Sequence, residues 1–357
     1  MYKLQTYDEI LGRMLDKIPN TYNKREGSVI WLALAPAAAE LAQSYIEFDR
    51  IVNETFADTA SYEYLRRRAE ERGLYPFEPT NAILKAEFNQ DVQLGTRFGK
   101  EDLTYTLISK IEDEQFSYEI MCEQKGTRGN DYFGTIIPLE YVDGLTKSEI
   151  TELLIPARDL EKIEDFRIRY YDSFDSQAYG GNIQDYIEKT SSIEGVGSVQ
   201  VIPVWNGGGT VKVIILDGEF NKPSGKLIEN VQNELDPVGH SGLGVGVAPI
   251  GHIVTVVGVE EVTILVKSDI MLDVGQDWNK VKILVEESIE TYLKELREDW
   301  SNLINNGIII RIAQVENRIL NVPGVIDVSN TTINDSNKNL QLELEEIPVL
   351  GGVENGN

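Results

Sequence analysis

His240 and His252 are the only histidines in 357 residues, and both stand in the stretch PVGHSGLGVGVAPIGHIV. A zinc ion would need a third ligand beside them. Their spacing of 12 is neither a helical nor a hairpin pair, so no zinc site is expected. Acyl transfer fares no better. Gly239-His240-Ser241-Gly242-Leu243 misses the nucleophile-elbow pattern, because Leu243 stands where a final glycine must permit the sharp turn. The stretch has neither a G-x-G-x-x-G nor a Walker lysine, so phosphate cradling is unsupported. It reads as a glycine-rich flexible connector between two modules. Carboxylate pairs recur at Glu112-Asp113-Glu114, Glu260-Glu261 and Glu286-Glu287, as 59 acidic residues would produce by composition alone. Glycosidase chemistry needs two carboxyls at a set separation in a cleft, which pairs in sequence do not supply. Asp8, Glu9 and Asp16 lack the oxygen-rich loop spacing of a calcium site. These residues point to no catalytic, cofactor-binding or metal site.

Cys122 is the only cysteine, so no intrachain disulfide or thiolate metal cage is available. It shares an alternating face with Phe116, Tyr118 and Ile120 and is expected as a small buried thiol in a strand. Arg66-Arg67-Arg68 is the single basic run. Glu63, Glu70 and Glu71 lie within a turn and can pair with it, which makes a helix surface the simpler expectation and an inter-chain salt bridge the sharper one.

The elements carrying these residues differ along the chain. Trp31, Leu34, Ala38, Leu41, Tyr45, Phe48 and Val52 recur at alternating spacings of three and four. That is the narrow apolar seam of a helical bundle, with Glu40, Gln43, Glu47 and Arg50 on its solvated back. Such a seam wants another helix, from its own domain or from another chain. Pro36 should kink the helix or open a new one near Ala33–Pro36. The helical region closes at Gly73-Leu74-Tyr75-Pro76. From residue 81 the period changes to two, with Leu103-Tyr105-Leu107 and Tyr118-Ile120-Cys122 alternating, which predicts a small antiparallel β domain to about residue 160.

Beyond it, helices and strands alternate and the chain repeats itself. Ile193-Glu194-Gly195-Val196 resembles Val322-Pro323-Gly324-Val325, and the strand Val211–Leu216 matches Leu340–Glu345, each 129 residues further on. Each copy is expected to be a helix ending on glycine, a strand, a hairpin loop and a return strand. Residues 223–235 and 277–296 read as helices, the latter capped by Asp277, and 253–271 as two strands parted near 258–261. The expected fold is thus α+β multidomain: a helical bundle-forming region (1–80), a small antiparallel β domain (81–160), and two related α/β modules (161–258 and 259–357).

Composition bounds the partners. An apolar content of 41% supports several cores, and a formal charge of −26 disfavours nucleic acid and anionic membrane surfaces. No secretory leader pattern is seen, and no apolar run approaches the ~18 residues that span a bilayer.

The literal residues of the first helical region add a resemblance. A Glu-Gly-Ser opening, Ala35-Pro36-Ala37, Ala39-Glu40-Leu41-Ala42, Phe56-Ala57-Asp58-Thr59-Ala60, and Leu65 with Gly73-Leu74 resemble the baseplate J-like family of contractile phage tails and related injection particles. Tyr62, where glycine is frequent, and Arg66, where aspartate is common, depart from it. The likeness continues through Gly95-Thr96-Arg97-Phe98, Gly126 to Asn130, Tyr179-Gly180-Gly181-Asn182 and Pro237-Val238-Gly239, and weakens toward the C-terminus. What the resemblance implies is a non-enzymatic wedge subunit of a phage or tailocin (R-type bacteriocin) baseplate. It would bundle with other wedge proteins and a second copy of itself, contact hub and sheath-initiator proteins, and form a six-fold ring without nucleic acid or membrane insertion. It would be made in the cytoplasm of the producing bacterium and end in the released particle. The seam from Trp31 to Val52 would be the inter-chain interface. The alternatives are a particle-associated hydrolase or carbohydrate-binding protein, and a cellular adaptor unrelated to tails.

Overall fold

The computed structural model describes residues 4–112, 114–175, 180–303 and 307–356; Asp113 and Tyr179 of the motifs above lie outside the described residues. The chain is an α+β multidomain protein in two units, Met1–Phe77 with Glu161–Asp175, and Glu78–Leu160 with Ser176–Asn357.

In the first unit, α1 (Tyr7–Asp16) begins at Thr6, whose hydroxyl accepts the Glu9 N–H. Lys24 Nζ donates to the Leu15 and Ile18 carbonyls at 3.0 and 2.9 Å, satisfying acceptors that the helix end leaves open. The long helix α2 (Val29–Thr55) opens from Gly27, at φ +80°, through Ser28, whose Oγ accepts the Trp31 N–H at 3.2 Å. The Gly-Ser opening is therefore a left-handed turn followed by an N-cap. Pro36 does not start a new helix: α2 runs 27 residues through it. Pro36 and Leu32 are both exposed, so the carbonyl that Pro36 cannot bond is open to solvent.

A tight turn, Ala57–Ala60, then leads to α3 (Tyr62–Glu70). Its residues Leu65 and Ala69 form a core with Phe166 and Tyr170 of α4 (Ile163–Asp175). Sequence pattern groups α4 with the first α/β module; in the structure it packs with α3. Arginines make the bond. Arg167 donates to the carbonyls of Ala57 and Ala60, and Arg169 is held by Glu161 at 2.9 and 2.7 Å and by the Tyr75 carbonyl at 2.6 Å. The Arg66–Arg68 run pairs largely as expected, Arg66 with Glu70 at 2.9 Å and Arg67 with Glu63 at 2.8 Å.

The second unit opens with a seven-stranded antiparallel sheet. Its strands are β1 (Asn81–Phe88), β2 (Arg97–Lys100), β3 (Leu103–Lys110), β4 (Ser117–Lys125), β5 (Gly134–Thr135), β6 (Ile137–Pro138) and β7 (Ser148–Ile155), in the order β5-β7-β1-β4-β3-β2-β6. Period-two alternation sends Ala82, Leu84, Ala86 and Phe88 inward with Leu103, Tyr105, Leu107, Tyr118, Ile120 and Cys122, so the thiol is buried as expected.

The first α/β module comprises α5 (Ile183–Ser192), β8 (Val196–Pro203), β9 (Thr210–Asp217), α6 (Gly225–Leu235) and β10 (Ile253–Gly258). β9 lies between β8, antiparallel, and β10, parallel, at the other end of the α6 crossover. Val211, Val213 and Ile215 pack with α6, whereas Ile214 and Leu216 enter the core of the second module, which is why the strand is apolar on both faces. That module comprises β11 (Glu260–Leu272), α7 (Trp278–Glu298), β12 (Ile309–Ile310), α8 (Ile312–Leu320), β13 (Val325–Ile333), β14 (Leu340–Gln341) and β15 (Glu346–Asn355). Trp300, fully buried, ties the modules together: its carbonyl accepts Gln200 Nε2 at 2.7 Å.

The repeat holds for half of what was expected of it. α8 and β13 follow α5 and β8 at the same offset, but Leu340–Glu345 is not a return strand beside β13. Only Leu340–Gln341 is extended, and it pairs with β12; β13 pairs instead with β11. Close approach explains the diversion. A Cβ on Gly307 would sit 1.8 Å from the Leu342 carbonyl, and the Leu342 N–H bonds Ile308 O at 2.9 Å. The sheets nevertheless correspond, since β13-β11-β15 repeats the antiparallel and parallel neighbours of β8-β9-β10. The helix–strand pair precedes the βαβ crossover in one module and is inserted within it in the other. The turn glycines Gly195 and Gly324, at φ +87° and +94°, lie beyond the capping residues Ile193 and Asn321.

Candidate functional site

The expected seam is split in two. Its inner part packs on α1: Ala38 and Ala42 are buried against Ile10 and Leu11, with Trp31, Leu34, Ala35 and Tyr45 half-buried around them. Small residues at 38 and 42 let the two helices approach closely, and Tyr7, Met14 and Leu15 complete the contact. The outer part carries more open side chains. Leu41 and Phe48 are 43% and 49% exposed and Val52 is half-buried, with Tyr45 edge-on to Phe48 at 6.1 Å. Leu32, Ile46 and Ile51 add exposed apolar surface elsewhere on the helix. Sequence reasoning left the partner open between its own domain and another chain and did not name α1, although Tyr7, Ile10, Leu11 and Met14 already show helical spacing.

The sequence expectation of no membrane-length apolar run needs correction. By length and composition alone, α2 is one helix long and apolar enough to cross a membrane. Residues 29–46 hold a single charge, Glu40, because this helix offers apolar surface on more than one side.

Several of the residues considered for chemistry are engaged structurally, whereas His240 is exposed. His252 Nδ1 lies 2.9 Å from the Tyr186 hydroxyl with the rings nearly parallel. Burial, with help from Asp185 and Asp236, pushes the Tyr186 phenol up to about 12. The glycine-rich stretch does not connect the modules, as the sequence suggested. It lies inside the first one, between α6 and β10, and is pinned. The buried Asp236 carboxylate accepts the Ser241 hydroxyl and the N–H groups of Gly242 and Val254. Gly181 fits under it, where a Cβ would meet Pro249 Cγ at 2.5 Å. Of the acidic runs, Glu114 pairs with Lys85, Glu260 with Lys222 and Glu286 with Lys282. Among the described residues no group of three or more His, Cys, Asp or Glu side chains is placed to hold a metal ion.

Comparison with known proteins supplies the family. The baseplate J-like central domain matches residues 178–258 and the baseplate J-like protein C-terminal domain matches 262–356. Uncharacterized protein YqbT of Bacillus subtilis (strain 168) is 35% identical over 359 residues, covering 99% of this chain and 98% of that one. The phage-like element PBSX protein XkdT of the same strain is 34% identical, with the same coverage. A solved chain from the anti-feeding prophage baseplate is 9% identical, with a TM-score of 0.38 over 97% of this chain and 98% of its own. The chain belongs to the baseplate J-like family.

Proposed function

We propose that this chain is a wedge subunit of a contractile-tail baseplate, repeated around the central hub, whose rearrangement on triggering is passed to the sheath. Full-length likeness to a phage-like element protein carries the assignment, and α2 supplies a physical means of assembly. The exposed flank at Leu41 and Phe48 would receive a helix from another baseplate protein, while α1 keeps the opposite flank closed. A ring that changes shape needs interfaces with two arrangements of similar energy. An acidic chain self-repels and so favours contacts confined to limited surfaces.

The test is removal of the chain from a producing strain. Expected are tails arrested without a complete baseplate. Complete particles defective only in degrading a cell-surface polymer would favour the particle-associated hydrolase. Retention of the chain in the membrane fraction of the parent strain, with particles unaffected by its removal, would make α2 a membrane helix instead.

A further inference from the structure

The first α/β module ends in a surface that the seam does not explain. The β8–β9 hairpin and the loop between α6 and β10 lie side by side: Ile253 N–H donates to Gly209 O at 2.8 Å, and Gly251 N–H to Gly242 O at 2.8 Å. A Cβ on Gly244 would meet Ile250 Cγ1 at 2.7 Å, and one on Gly242 would meet Ile253 Cγ1 at 3.4 Å, so the loop folds back on itself. From this platform Val204, Trp205, Leu243, Val245, Ile250 and Ile253 project with 42 to 83% of their surface exposed. Loop tips normally carry polar side chains, and exposed apolar side chains gathered on neighbouring loops point to an interaction surface.

Two further observations set this patch apart. Residues 203–211 and 237–259 contain no Asp, Glu, Lys or Arg, in a chain that is 26% charged. Val204 takes φ +57°, a left-handed conformation that a β-branched residue rarely adopts, and it is held there by its N–H to Thr210 O at 2.7 Å. Fold stability alone is better served there by Asn or Gly, and strain of this kind collects where a side chain is presented. Asp236 also holds the loop through three hydrogen bonds, which lowers the ordering entropy that binding has to cost.

From these observations we infer that the Val204–Trp205 hairpin and the Leu243–Ile253 loop form a contact between two copies of this chain, patch against patch. Charge selects the occupant. Each copy carries −26, so most faces of two copies repel, and an uncharged face is where they can meet without that cost. A basic partner would gain more on the acidic faces than here. Another copy's matching patch also has the apolar surface this one needs, which an isologous contact supplies automatically. Lys212, over the Trp205 ring at 5.2 Å and paired with Glu345, marks the charged border. The inference rests on the baseplate reading for its setting but not for its geometry.

Cysteine crosslinking tests it, because Cys122 is buried and a single introduced thiol is the accessible one. Leu243→Cys is expressed in full-length chain in particle-producing cells, with Glu298→Cys, exposed on α7, as control. Mild oxidation of the purified particles is expected to shift Leu243→Cys to the mass of two chains and to leave the control unshifted. A Leu243→Cys link to a different particle protein, or no link in particles that contain the chain, overturns the patch contact and leaves the baseplate reading standing. If the chain is absent from particles, the baseplate reading fails. The same oxidation of the purified chain then decides the contact, a shift to two chains supporting it and none overturning it. Ile250→Cys, on the same platform, repeats the measurement should Leu243→Cys fail to fold.

Discussion

Asp217 is the residue where structure adds most to the chemistry. It closes β9, its carboxylate accepts the N–H groups of Glu219 and Asn221 at 2.9 and 2.8 Å, and desolvation outweighs those bonds, pushing its pKa up to about 6. A carboxyl whose folded pKa exceeds its unfolded one, near 4, contributes stability that is fully present below pH 4 and is lost as pH rises through 6. At neutral pH that is a deficit on the order of 2–3 kcal/mol. Asp217→Asn retains an oxygen for both N–H groups and removes the charge. Thermal melts should show it more stable than the parent at pH 7.5, with the difference shrinking toward pH 4.5. A melting difference that ignores pH would mean the carboxylate is better solvated than the structure describes. Asp236 is buried more deeply still, and its carboxylate accepts three hydrogen bonds. Asp236→Ala leaves the N–H groups of Gly242 and Val254 without their acceptor and should cost about 2–4 kcal/mol by urea unfolding. No sequence pattern distinguishes these two among 59 acidic residues, since what separates them is depth.

Elements were legible where a pattern is local. The seam spacing locates α2, the alternation locates β3 and β4, and Asp277 caps α7 as its type suggests, accepting the Asn279 N–H. Partnership was not legible. A strand's apolar face does not name its neighbour, so the second repeat was given a return strand where β11 lies; an apolar helix does not name its cover, so α1 was overlooked. Glycine loops mislead similarly: the Gly239–Gly251 stretch looks flexible until Asp236 is seen to hold it. The split seam makes a discriminating pair of variants. Ala38→Leu overfills the α1–α2 contact and should destabilise that unit by about 1–3 kcal/mol, measured by unfolding. Leu41→Asp lies on the exposed flank and should leave the isolated chain's unfolding unchanged while abolishing its incorporation into particles. Normal incorporation of Leu41→Asp would make the outer flank irrelevant to assembly.

At the scale of the whole molecule, charge decides how copies meet. A chain with 59 acidic and 33 basic residues and a pI near 4.5 repels itself at neutral pH, and the repulsion acts over the Debye length, roughly 30 Å at 0.01 M salt and 3 Å at 1 M. Contacts built on ion pairs would weaken as salt is added. Contacts built on the uncharged patch at Trp205, Leu243 and Ile250 should strengthen, because screening removes the repulsion and leaves apolar burial in place. Sedimentation equilibrium of the full-length chain should therefore show association rising from low to high salt. Leu243→Asp, which puts a carboxylate into the uncharged face of each copy, should remove that rise. Association that is strongest at low salt would show that complementary charges join the copies, and the acidic faces would then need a basic counterpart that this chain does not provide in quantity.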